Sequence, residues 1–127
     1  MDSIRIPGAF APLATPDQFD ALLEASGQRP IAIFKHSGAC GTSAQAFDEL
    51  EAFLADGGSG ADVYLLDVLA NRQLSQAIST RFHVRHESPQ VLVIRNAEVR
   101  WHGSHFRVTA ENVRKAILDH TKPYGSP

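Results

Sequence analysis

One short stretch of the chain, FKHSGACGTSAQAF at residues 34–47, has the residue types and the spacing for thiol chemistry. It contains the only cysteine of the 127 residues, Cys40. A dithiol redox motif would place a second cysteine three positions later, where this chain has Ser43. One sulfur cannot close an internal disulfide, but its thiolate can attack a mixed disulfide and hold the attached thiol until a second thiol releases it. The motif therefore predicts monothiol exchange.

The neighbours of Cys40 favour a reactive sulfur over an inert, buried one. A lone cysteine is usually a small hydrophobic residue in a core. Here two glycines flank it, a predicted strand precedes it and a predicted helix follows it. Free backbone N–H groups and the dipole at a helix start stabilise a thiolate and lower a cysteine pKa. Lys35, His36 and His86 are candidates for tuning Cys40 further through their charge, if their side chains face it.

A second candidate element is the proline in RFHVRHESPQVLVI, which stands directly before a predicted strand. An X–Pro bond is trans by default. If the chain adopts a thioredoxin-like fold, however, the bond between Ser88 and Pro89 should be cis and should lie beside Cys40. The backbone of Ser88 would then be free to pair with a bound thiol compound or peptide as an added strand.

The elements that must position these residues follow an α/β order. The sequence predicts a thioredoxin-like fold, with a central mixed β-sheet flanked by helices and an extra N-terminal segment and helix. The whole chain, 1–127, is expected to form one domain with peripheral ends at about 1–14 and 122–127. The predicted elements are a helix capped by Thr15 with a capping box at Gln18, a strand at 31–35, a helix from Ser43, a strand at 62–68, a helix capped by Asn71 with Leu74, Ala77, Ile78 and Phe82 inward, a hairpin turning at Asn96-Ala97, and a helix capped by Thr109 with Val113, Ala116 and Ile117 inward.

Composition excludes several other classes of protein. Twelve basic against fourteen acidic residues give a net charge of −2, which argues against a nucleic-acid-binding surface. No apolar run is long enough to cross a bilayer, and the N-terminus does not resemble a signal peptide. A single cysteine fits the reducing cytoplasm, where we expect the protein to act as a monomer.

Several motifs together resemble the monothiol bacilliredoxins, thioredoxin-like proteins of the bacillithiol system. The resemblance covers roughly residues 31–113 and depends on the combination of FKHS, Cys-x-x-Ser, an Asn-Arg pair, HESPQ and WHGSH. It implies an enzyme that removes bacillithiol from S-bacillithiolated client proteins, with bacillithiol as thiol co-substrate and no tightly bound cofactor. Carried over to this chain, the catalytic residue is Cys40, and the thiol-binding residues are Gly41, Thr42, Ser43, Ser88 and Pro89.

One departure from that family pattern leaves alternatives open. Gly41 stands where the family usually has proline, so the motif is also similar to the Cys-Gly-Phe-Ser of monothiol glutaredoxins, which hold iron–sulfur clusters with glutathione. Members of that family normally carry a Thr-Val-Pro motif and, later in the chain, a Gly-Gly pair, and neither is present here. A third hypothesis is a non-catalytic thioredoxin-like binding module. His102 and His105 have a His-x-x-His spacing, but zinc needs three or four ligands, and no metal site is predicted.

Overall fold

The computed structural model describes residues 9–38 and 41–121. Within them, five strands and four α-helices alternate in the order of an α/β domain. They are β1 (Ala11–Pro12), α1 (Pro16–Ala25), β2 (Ile31–His36), α2 (Gly41–Ala55), β3 (Asp62–Asp67), α3 (Arg72–Phe82), β4 (Gln90–Arg95), β5 (Glu98–Ser104) and α4 (Ala110–Asp119), with single 3₁₀ turns at Gly58–Gly60 and His105–Arg107.

The sheet is mixed, as predicted, with the strand order β1-β3-β2-β4-β5. β1, β3 and β2 run parallel, whereas β4 is antiparallel to both β2 and β5. The carboxyl ends of β2 and β3 therefore meet the start of β4 and the end of β5 at one edge of the sheet.

Helices cover both faces of the sheet because the central strands are apolar on both faces. Phe34 of β2 packs with α2 and α4 in one hydrophobic cluster. Its neighbour Ile33 packs with α1 and α3 in a second cluster. The two-residue period of a strand thus assigns each side chain of β2 to a helical layer.

The predicted caps hold at α1 and α4 but not at α3. Thr15 forms the capping box with Gln18, and Thr109 accepts a hydrogen bond from the backbone N–H of Asn112. Asn71 is the N-cap residue of α3, but its side chain caps no helical N–H and instead donates to the carbonyl of Asp67 at 3.1 Å.

The inward face of α3 differs from the prediction. Ala77 was expected to face the core and is exposed, while Ser75 and Ser79 are buried beside Leu74 and Ile78. The polar side chains lie inward because they bind a buried lysine of β2, described below.

Residues 11–13 belong to the sheet and core, not to the peripheral segment expected at about 1–14. Strand β1 pairs with β3, and Leu13 is 1 % exposed within the cluster under α1 and α3. Such a two-residue strand lacks the alternating pattern that predicts strands. Residues 1–8 and the tail 122–127 lie outside the described residues.

Candidate thiol-exchange site

The predicted nucleophile, Cys40, lies outside the described residues, so the site is built from what surrounds it. β2 ends at His36, and α2 begins at Gly41, the residue that follows Cys40 in the sequence. The helix therefore starts two residues earlier than predicted. Gly41 is exposed, and a Cβ atom added at Gly38 or at Gly41 would meet nothing within 4 Å. The space beside each of these two glycines is therefore open.

Ser43, three residues beyond Cys40, is fully buried in the first turn of α2. Its hydroxyl accepts a hydrogen bond from the backbone N–H of Ser37 at 3.4 Å. The serine thus links the end of β2 to the start of α2 from inside the fold. The neighbouring Thr42 is half-buried.

The bond between Ser88 and Pro89 is cis, which confirms the prediction made for a thioredoxin-like fold. Pro89 is buried, and its carbonyl accepts a hydrogen bond from the backbone N–H of His105 at 2.9 Å. The next residue, Gln90, pairs with Lys35 across β4 and β2. The hydroxyl of Ser88 is shielded from solvent and has no hydrogen-bond partner among the described residues.

Lys35 is fully buried and points towards α3. Its ammonium group lies 3.1 Å from the carbonyl of Ser75, 2.8 Å from the hydroxyl of Ser79 and 3.2 Å from Nδ1 of His86. Burial lowers the pKa of Lys35 from 10.5 to about 8. Three neutral acceptors match the three N–H donors of an ammonium group.

His86 joins this buried group from the segment that leads to Pro89. Its Nδ1 also lies 3.2 Å from the hydroxyl of Ser75. Burial, followed by the nearby charge of Lys35, lowers the pKa of His86, and the carboxylate of Glu87 opposes that shift. A neutral imidazole that accepts at Nδ1 carries its proton on Nε2.

His36 lies on the opposite face of β2, apart from Lys35 and His86. Its ring contacts Phe34 and Phe47 at centroid distances of 5.6 and 5.1 Å. Burial lowers the pKa of His36, and the charge of Asp67 partly offsets the effect. The three residues predicted to tune the cysteine are thus divided between the two helical layers.

The site contains features that the sequence analysis missed. Ser75 and Ser79 lie four residues apart on one face of α3, a spacing that could have indicated a polar stripe facing the sheet.

Among residues 9–38 and 41–121, no three metal-ligating side chains lie close enough to hold an ion. Across the same residues, no helix is long and apolar enough to span a membrane.

Comparison with known families decides which group of proteins shares this arrangement. The sequence model described as monothiol bacilliredoxin BrxC matches residues 11–113. The chain belongs to the monothiol bacilliredoxin family. The prediction from the combined motifs is therefore confirmed, and the protein is a redox thiol protein.

Solved structures agree on the fold of this bacilliredoxin. A protein proposed to be an oxidoreductase with a thioredoxin fold is 32 % identical, with a TM-score of 0.77 over 86 % of this chain and 94 % of that one. A mutant thioredoxin from Halobacterium salinarum is 16 % identical, with a TM-score of 0.73 over 94 % and 97 % of the two chains. Thioredoxin from Trypanosoma brucei brucei is 11 % identical, with a TM-score of 0.73 over 94 % and 96 %. At such low identity, the two thioredoxins show the fold alone.

Proposed function

We propose that the protein is a de-bacillithiolating enzyme that works with one sulfur. Membership in the monothiol bacilliredoxin family carries the proposal. Two features of the chain support it: Cys40 directly precedes the first residue of a 15-residue helix, and Ser43 occupies the position of a resolving cysteine.

The proposed reaction has two exchange steps. The Cys40 thiolate attacks the bacillithiol sulfur of a mixed disulfide between bacillithiol and a client. A new disulfide joins Cys40 to bacillithiol, the old disulfide breaks, and the client leaves as a thiolate that takes a proton from water. A second bacillithiol thiolate then attacks the bound bacillithiol sulfur, which regenerates the Cys40 thiolate and releases bacillithiol disulfide.

In this proposal the cis-proline segment holds the substrate beside the sulfur. Ser88 precedes Pro89 at the edge of the sheet where β2 ends and β4 begins. The shielded hydroxyl of Ser88 lacks a partner among the described residues, and burying such a group unsatisfied costs free energy. A polar group of the bound thiol or of the client backbone would satisfy it.

A client protein would also need a surface to dock on, and two exposed hydrophobic side chains flank this edge. Leu69 and Phe106 are 50 % and 76 % exposed. Leu69 lies in the β3–α3 loop, where the backbone N–H of Val68 donates to the carbonyl of His36 at 3.0 Å. Phe106 follows His105, which binds the carbonyl of Pro89. Because β2 and β4 lie between β3 and β5, the two side chains stand on opposite sides of the proposed site.

Incubation of the reduced protein with an S-bacillithiolated client tests the proposal. We expect released client thiol and a bacillithiol adduct on Cys40, seen by intact-mass spectrometry. Cys40→Ser should give neither, and Ser43→Ala should still form the adduct. Client release that continues in Cys40→Ser, or a wild-type protein that never gains the adduct, would contradict this function.

A further inference from the structure

A cavity beside the proposed site has the location of a substrate pocket. It measures about 320 Å³, within the usual range for small-molecule sites. It lies between the β3–α3 loop, the first turns of α3 and the segment that leads to Pro89. Its lining residues are Val68, Leu69, Arg72, Ser75, Gln76 and His86.

One hydrogen bond and one short stretch of sequence connect this cavity to the exchange site. Val68 on its wall donates a backbone hydrogen bond to His36, four residues before Cys40. His86 on the facing wall lies two residues before Ser88, the first residue of the cis bond. A thiol compound bound at Cys40 and Ser88 would therefore have its remaining atoms within reach of the cavity.

The lining of the cavity contains one positively charged side chain, Arg72, and no acidic residue. Arg72 is exposed, and no carboxylate of the described residues lies within ion-pair distance of it. The nearest acids in sequence are engaged elsewhere. Asp67 Oδ1 accepts the backbone N–H groups of Leu69 and Ala70 at 3.1 and 3.2 Å. The Glu87 carboxylate is hydrogen-bonded to Ser104 on β5, which lowers the pKa of Glu87.

An independent observation, the charge of the buried Lys35, points to an anion here. Within the described part of the chain its ammonium group has only neutral partners, and two of the partner residues, Ser75 and His86, line the cavity. Lysine is almost never fully buried unless it is paired, because an isolated charge in a low-dielectric interior is costly. A negative charge in the cavity would supply the missing counter-charge.

We propose that this cavity is a carboxylate subsite, which holds the acidic part of the low-molecular-weight thiol carried by the mixed disulfide. Arg72 binds the carboxylate through its guanidinium fork. His86, whose Nδ1 faces Lys35, donates the N–H of Nε2 to the carboxylate. The buried Lys35 adds a fixed positive charge behind the wall of the cavity. The inference rests on the proposed function, since it names the substrate part that the exchange site would bind.

A comparison of two client disulfides tests the subsite. One carries bacillithiol, whose malyl group bears two carboxylates; the other carries cysteinyl-glucosamine, the same thiol without the malyl group. We expect the wild-type protein to favour the first by about tenfold or more in kcat/KM, through KM, because a hydrogen bond to a charged group contributes about 1.5–3 kcal/mol. Arg72→Gln should remove the preference, because it should raise KM for the first substrate much more than for the second, while Arg72→Lys should keep part of the preference.

The matched control and the second substrate keep the two proposals apart. Lys115→Gln removes an exposed positive charge from α4, on the other face of the sheet, and should retain the full preference. Equal turnover of both substrates by the wild-type protein, or equal slowing of both by Arg72→Gln, would overturn the subsite alone. If the wild-type protein exchanges with neither substrate, the proposed function and the subsite both fail.

Discussion

Lys35 and His86 meet inside the protein, with Nζ of the lysine 3.2 Å from Nδ1 of the histidine. The contact joins the central strand β2 to the segment that ends in the cis Ser88–Pro89 bond. A protonated lysine donates to a neutral imidazole here, whereas two protonated side chains would repel each other. The contact therefore favours a single positive charge on the pair, with a charged ammonium group beside a neutral imidazole.

The buried lysine should make stability depend on pH in the alkaline range. Because the pKa of Lys35 falls from 10.5 to about 8 on folding, the native state loses this proton near pH 8 while the unfolded chain keeps it up to about pH 10.5. The free energy of unfolding should therefore increase as pH rises through this range. Lys35→Met lacks the titrating group, so between pH 7 and pH 10 the free energy of unfolding of the wild-type protein should rise by about 2–3 kcal/mol more than that of the variant.

Urea denaturation of both proteins across this pH range measures the difference. Lys115→Met, at an exposed position of α4, serves as the control and should follow the wild-type profile. Parallel profiles for the wild-type protein and Lys35→Met would show that Lys35 does not change its protonation on folding as described.

The order of the elements could be predicted from the sequence because each element has a local signature, and the mixed sheet and the cis bond followed from the thioredoxin-like fold that this order indicates. Capping residues mark the starts of α1 and α4, apolar runs mark the buried strands, and the hairpin turn stands between two such runs. Even the unfavourable Ala97, with a φ of 61°, occupies the predicted turn, where its backbone N–H donates to Ser26 Oγ at 2.9 Å.

The tertiary contacts of the site could not be predicted in the same way. The direction of Lys35 depends on which face of β2 meets α3, and the pattern IAIFK is apolar on both faces. Likewise, Ser75 and Ser79 face the sheet because they bind Lys35, which lies 40 and 44 residues earlier in the chain. The separation of His36 from His86 follows from the same alternation along the strand.

A second thiol at position 43 should convert the protein to dithiol chemistry. Ser43 is 0 % exposed and stands at the Cys-x-x-Cys spacing from Cys40. In Ser43→Cys, the new thiolate should attack the Cys40 sulfur of the bacillithiol adduct and release bacillithiol as a thiol. Intact mass should show loss of the adduct and of two hydrogens. Ser26→Cys places a thiol at another buried serine, beyond the far end of β4, and should keep the adduct; persistence of the adduct in Ser43→Cys would contradict the prediction.

Two glycine-to-alanine changes should alter stability in opposite directions. A Cβ atom at Gly41, the first residue of α2, meets nothing within 4 Å, so Gly41→Ala should raise the free energy of unfolding by up to about 1 kcal/mol. At Gly58, φ is +62° and a Cβ atom would lie 3.3 Å from Cδ2 of Leu54. Gly58→Ala should therefore lower the free energy of unfolding by about 1–2 kcal/mol. Urea unfolding tests both, and a destabilised Gly41→Ala would show that the helix start depends on glycine.

Phe106 should contribute to recognition of clients rather than to the exchange chemistry. Its side chain is 76 % exposed next to the residue that binds the Pro89 carbonyl, so a docked client would bury much of it. Burial of part of a phenylalanine contributes about 1–2 kcal/mol, and Phe106→Ser should lower kcat/KM for a bacillithiolated client about 5- to 30-fold. Reaction with bacillithiol disulfide, which brings no protein surface to cover Phe106, should be unchanged. Leu118→Ser offers a matched control, since Leu118 is 52 % exposed on α4 near the far end of β4, where Arg95 binds the carbonyl of His120. An equal loss in both variants, or an equal loss with the small disulfide, would exclude Phe106 from client docking.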